Sequence, residues 1–184
     1  MSRITPVDYD AATGEQKALL NAVKSFLGAT PNMTTTMARS TVLEAWLNLN
    51  RAVRKGSIGT ADAERIALGV AEANGCSYCL SAHTYLGANV ARLDDVELRR
   101  ARQFESAEPR SAAILAFAQA VLSTRGGVSD RAIATAREAG LTDAELSDIV
   151  GHVAVNLLTN YFNKAFDVDV DFPIVEPHVH AAAA

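Results

Sequence analysis

Alanine occupies 34 of the 184 positions, against eleven glycines and five prolines, and this excess constrains the fold more than any other feature. Alanine is the strongest helix former because it loses no side-chain entropy on entering a helix. Before the C-terminal stretch no run of useful length alternates apolar with polar residues, so no strand is predicted. The chain reads instead as apolar runs at helical spacing between caps. Thr13 with Gln16 predicts a capping box opening a first helix to about Leu27, ended by Gly28. After Thr30-Pro31 a second helix is expected to about Lys55, stopping at Gly56, and Thr60 is expected to cap a third through Ala73. Asn74-Gly75 marks a break through left-handed backbone.

Further along, a fourth helix is predicted from about Cys76 to Val90, a short fifth capped by Asp94, and a sixth from Glu108-Pro109 to Thr124. Ser129 opens a seventh that stops at Gly140, and Thr142 with Glu145 forms a capping box for an eighth. The expectation is therefore an all-α bundle of about eight helices, a single domain over residues 1–168. Capped helix pairs either side of residue 105 hint at two related halves. Residues 169–184, with two prolines and alternating acids, read as an extended or partly ordered tail.

A net charge of −4 and a pI near 5.5 argue against nucleic acid as a partner, which would require a basic surface. No run approaches the ~18 apolar residues of a membrane span, and the N-terminal stretch lacks the apolar core of a signal peptide. The cytoplasm is the expected compartment. Two cysteines are too few to staple a secreted scaffold, and in a reducing compartment such a pair is more often catalytic or metal-binding.

Those cysteines lie in the one dense cluster of reactive side chains. Cys76, Cys79 and His83 are spaced three and four apart, on one face if the segment is helical. A helical i, i+3 pair has Cα atoms ~5 Å apart, within the range a disulfide accepts. The Asn74-Gly75 break puts both cysteines in the first turn, where unpaired backbone N–H groups favour a thiolate. His83, a turn beyond Cys79, is placed as base or proton carrier, and Glu64 could orient it if the two helices pack antiparallel.

At these residues the sequence resembles the core motif of the alkylhydroperoxidase D family, in the carboxymuconolactone decarboxylase-like superfamily. That motif has a Glu twelve residues before a Cys-x-x-Cys and a His four after it. Glu64, Cys76, Cys79 and His83 match at every spacing, within a core of about residues 60–90. The later run NLLTNYFNKAFDVDVDFP resembles the peroxidase-related subgroup. The resemblance implies a helical fold assembled as trimers or hexamers, and thiol-dependent reduction of hydroperoxides in antioxidant defence. It implies Cys79 as the peroxide-attacking cysteine, Cys76 as the resolving one, a Cys76–Cys79 disulfide, Glu64 and His83 as the proton relay, and an external dithiol or protein as reductant. Where alkylhydroperoxidase D has a second histidine before its second cysteine, this chain has Tyr78.

Other chemistries compete for the same residues. A general thiol–disulfide oxidoreductase would use the same pair. The lactone-decarboxylating branch of the superfamily characteristically lacks it. Structural zinc would need a fourth ligand, from His152 or Glu64, and three ligands over two turns of one helix suit a tetrahedral site poorly. His152 reads as a satisfied core histidine, Tyr78 as a packing residue or pocket wall, and His178 and His180 as part of a flexible end. Trp46, Phe117, Tyr161 and Phe162 are expected in the core or a subunit interface, some of them lining an apolar entrance. No glycine-rich phosphate loop is present, and no cofactor or metal is expected.

Overall fold

The computed structural model describes residues 2–178, and among these it contains nine α-helices and no strand. They are α1 (Gly14–Leu27), α2 (Asn32–Met37), α3 (Val42–Val53), α4 (Thr60–Ala73), α5 (Ser77–Asn89), α6 (Asp95–Ala101), α7 (Pro109–Ser123), α8 (Asp130–Glu138) and α9 (Asp143–Phe166). The all-α expectation holds.

Local chemistry sets most of the boundaries. Asp94 accepts from the Val96 and Glu97 amides, Ser129 accepts from Ala132, and Thr142 and Glu145 complete both halves of their capping box. Each satisfies amides that the first turn would otherwise leave unpaired. Gly75 turns the chain at φ +60° between α4 and α5, a backbone region that strongly favours glycine.

Three expectations fail for identifiable reasons. The predicted second helix is two, α2 and α3, because Ser40 accepts the Val42 amide and Arg39 reaches out to the Thr5 and Pro6 carbonyls. Gln16 does not complete a capping box with Thr13, since its amide donates instead to the Ala38 carbonyl 2.8 Å away. Gly59, not Thr60, occupies the N-cap of α4.

α4 is the centre of the bundle. Every residue from Ala63 through Glu72 is buried, because α5, α6, α7 and α9 all pack against it. Its Leu68 and Ala71 join a core with α1, α3 and α5, and its Ile66 and Val70 join a second core with α7, α8 and the first half of α9. A helix covered on every side needs small residues for close approach, and Gly69 lies against the Phe104 ring. After α9 the chain has no regular structure through residue 178. It runs back over the start of α5, where Asp171 accepts from Tyr78, Glu176 accepts from Ser77, and Ser81 accepts the Val175 amide. His178 donates its amide to Glu72, whereas His180 lies outside the described residues. Among the described residues no helix is long and apolar enough to cross a membrane.

Candidate functional site

The turn at Gly75 folds α5 back against α4, which brings Glu64 and His83 together. His83 Nδ1 is 2.7 Å from Glu64 Oε2. The other carboxylate oxygen of Glu64 accepts from Arg54 Nη2 at 2.9 Å, and Arg54 follows the last turn of α3. Burial of Glu64 would by itself raise its pKa, but the charges and hydrogen bonds of His83 and Arg54 outweigh it and hold the carboxyl below its ordinary value. The outcome is a buried, ionised carboxylate clamped between two cationic or hydrogen-donating partners. Arg54 carries no motif of its own, and the sequence reading missed it.

Cys76 is not inside the helix. It is the N-cap of α5, with extended backbone at φ −102° and ψ 94°, and its Sγ accepts from the Cys79 amide at 3.4 Å. Cys79 sits in the first turn, and the two sulfurs are 2.8 Å apart as free thiols. The proton between them is shared unequally. The hydrogen bond from Cys79 is the largest influence on Cys76 and lowers its pKa against the cost of burial, helped by the Cys79 amide and the charge of Lys164. Burial dominates at Cys79 and pushes that thiol up, and the Cys76 sulfur adds to the effect, while Asn163 and Asn160 work against it. These influences favour thiolate character on Cys76 and the proton on Cys79.

A cavity of about 90 Å³ opens beside this pair. Cys79 and His83 both line it, together with Trp46, Met33, Phe172 and other mostly apolar side chains, and Cys76 does not. Thiolate character thus favours one cysteine and access favours the other. Access decides which sulfur can meet a molecule in the cavity, because a proton can cross the 2.8 Å between the sulfurs, whereas the sulfur buried behind cannot reach the ligand.

The face of α9 that closes the cavity is unexpectedly polar. His152, Asn156, Thr159, Asn160 and Asn163 are all buried, at i, i+4, i+7, i+8 and i+11. This periodic polar stripe within an otherwise apolar buried helix was the signal in the sequence that could have found them. Asn163 Nδ2 donates to Cys79 Sγ at 3.3 Å. His152 is not the satisfied core histidine expected: it lines the cavity, and no protein group partners its Nε2. Burial, then the charge of Arg54, lowers its pKa and favours the neutral ring.

Tyr78 is a cavity wall whose hydroxyl donates to Asp171 Oδ1 at 2.8 Å and accepts the Met33 amide at 3.1 Å. Burial, the leading cause, raises its pKa. Trp46 lines the cavity and Phe117 is in the core, but Tyr161 is 61% exposed. Among the described residues no group of three or more His, Cys, Asp or Glu side chains is placed to hold a metal.

A bundle of this order, with a Glu-and-Cys-x-x-Cys-and-His cluster at the α4–α5 hairpin, has the alkylhydroperoxidase D-like helical fold. Residues 40–121, the segment containing Glu64, Cys76, Cys79 and His83, match the Carboxymuconolactone decarboxylase family. The resemblance read from the motif is borne out. In three dimensions the chain is similar to a peroxidase-related protein with an alkylhydroperoxidase AhpD core from Ralstonia eutropha JMP134, at 23% identity, TM-score 0.82 and 92% coverage of each chain. A peroxidase-related protein from Silicibacter sp. TM1040 superposes at 21% identity and TM-score 0.74, over 90% of this chain and 91% of that one. The debrominase Bmp8, solved both apo and with 2,3,4-tribromopyrrole, superposes at 20% identity and TM-score 0.76, over 91% of each chain. These likenesses establish the fold. No curated protein matches the chain.

Proposed function

We propose that this protein is a thiol peroxidase that reduces small hydroperoxides, with Cys79 as the attacking sulfur, Cys76 as the resolving one, and Glu64 and His83 as the proton relay. The observation that carries this reading is that Cys79 and His83 line one small cavity while Cys76 Sγ waits 2.8 Å behind Cys79 Sγ.

The chemistry follows from the proton inventory. Cys79 passes its proton to Cys76, and the Cys79 thiolate attacks the terminal oxygen of the peroxide. The S–O bond forms as the O–O bond breaks, and the leaving alkoxide takes a proton from the relay. Cys79 becomes a sulfenic acid. Cys76 then attacks the Cys79 sulfur, and the displaced hydroxide combines with the Cys76 proton to leave as water. An external dithiol or protein reductant in a reducing compartment such as the cytoplasm restores both thiols. A homo-oligomer is part of the proposal, by likeness to the family.

Size supports a compact substrate. The cavity is small, about 90 Å³, and both cysteines are at most 2% exposed. That burial favours a small peroxide over a protein disulfide, the substrate a general disulfide oxidoreductase would need to admit. Thiol titration before and after one equivalent of peroxide, with mass spectrometry to place the oxidised sulfur, tests the scheme. Loss of two thiols and a Cys76–Cys79 link is expected. A Cys79→Ser protein that still consumes peroxide with full activity, or disulfide substrates that react faster than peroxides, would overturn it.

A further inference from the structure

The amide of Asn163 has two ends with different circumstances. Nδ2 donates to Cys79 Sγ at 3.3 Å. Oδ1 is buried, has no protein partner, and belongs to a residue that lines the cavity. Asn163 is 3% exposed, so that oxygen must find its partner within the cavity, where a buried acceptor left unpaired costs roughly 1–3 kcal/mol.

The reach is right for a peroxide. The oxygen and nitrogen of one amide are about 2.3 Å apart, so Oδ1 lies no more than about 5.6 Å from Sγ, given the 3.3 Å contact. An oxygen atom at about 3.3 Å from the attacking sulfur can therefore also lie at hydrogen-bond distance, about 2.8 Å, from Oδ1. The terminal oxygen of a hydroperoxide is such an atom, and it carries a hydrogen that needs an acceptor.

We propose that Asn163 is a catalytic residue, holding the Cys79 sulfur with one end of its amide and the terminal O–H of the hydroperoxide with the other. This rests on the reading of Cys79 as the peroxide-attacking sulfur. Sulfur and terminal oxygen are set side by side by one rigid plane, with the O–O bond directed away from Sγ. During the step the S–O bond forms, the O–O electron pair leaves with the alkoxide, and the hydrogen stays on the terminal oxygen. Oδ1 thus accepts the same hydrogen in the peroxide and in the Cys79 sulfenic acid. Selection follows for substrates with a free O–O–H end over dialkyl peroxides, which have no hydrogen to offer.

The experiment separates this role from simply holding the sulfur. In a Cys76→Ser background, which leaves Cys79 as the single thiol, two rates are measured: sulfenic acid formation with tert-butyl hydroperoxide, and labelling by methyl methanethiosulfonate, which has no O–H to be received. Asn163→Ala loses both contacts, so labelling reports the lost donor to Sγ and the peroxide reaction is expected to slow at least about tenfold more than labelling does. Asn163→Asp keeps an acceptor oxygen and loses the donor to Sγ, so it should slow both reactions together and leave their ratio within about threefold of the parent. Equal losses in the alanine variant, an unchanged peroxide rate, or an aspartate variant whose ratio collapses would each overturn the assignment. Wild-type protein that loses no thiol on treatment with peroxide would instead sink the proposed function, and this inference with it.

Discussion

Replacing Glu64 by glutamine removes a charge at the hub of the site while keeping the side chain's shape. The carboxylate, 3% exposed at the side chain, accepts from Arg54 at 2.9 Å and faces His83 Nδ1 at 2.7 Å. Glutamine presents one acceptor and one donor, so it can satisfy Arg54 only by turning its NH₂ toward His83, which must then offer Nδ1 as acceptor and carry its proton on Nε2. Because glutamine resembles the protonated acid, the depressed pKa of Glu64 already states the sign: the folded protein prefers the anion. Losing one of two charge-assisted hydrogen bonds, each about 1.5–3 kcal/mol, sets the cost at about 2–3 kcal/mol. For a chain of this size that is a fall in Tm of about 4–12 °C. Peroxide turnover should fall on the order of a hundredfold as the relay loses its base. The stabilisation from the anion is full above the ordinary glutamate value near 4.5 and is lost as pH falls through the lower folded value. Denaturant titrations at pH 7 and about pH 3 should therefore show a gap between wild type and Glu64→Gln that narrows in acid. Equal stability at pH 7, or a gap that does not narrow, would refute this placement of the charge.

Two further perturbations address the scaffold. A Cβ at Gly69 would sit 2.7 Å from Cε1 of the Phe104 ring, so Gly69→Ala should lose more through overpacking, about 1–3 kcal/mol, than the roughly 1 kcal/mol it gains in helix propensity; thermal melts should show a lower Tm, and a rise would mean the ring yields freely. Glu97 should be the main acid-sensitive carboxylate of the α6 region: burial raises its pKa, but Ser106, the Ala107 amide and Arg65 together bring it down to about 2. Its contribution, on the order of 3 kcal/mol for a side chain 12% exposed, is complete above about 4.5 and lost between there and about 2. Glu97→Gln should thus flatten the acid limb of stability against pH, and an unchanged limb would place the acid sensitivity elsewhere.

How far the sequence could be read depended on the range of each interaction. Asp94, Ser129, Thr142 and Gly75 act within three or four residues of themselves, and the helix ends they predict are those observed. The capping box at Thr13 failed because Gln16 had a distant competitor, the Ala38 carbonyl, 22 positions away. A long second helix failed for the same reason, with Arg39 drawn to the N-terminal segment.

The candidate site divides along the same line. The spacing of Glu64, Cys76, Cys79 and His83 already placed four chemically able groups on one hairpin, because a turn at Gly75 leaves them little choice. Which partners they would meet was not encoded locally. Arg54 reaches Glu64 from the end of α3, Asn163 reaches Cys79 from 84 positions away, and Asp171 fixes Tyr78 across 93. The sequence by itself determined an all-helical chain with a dithiol beside a histidine and a glutamate. Only tertiary packing decided that Cys79 faces the cavity and that Cys76 lies behind it with the lowered pKa, because exposure and desolvation depend on what other helices bring to the same place.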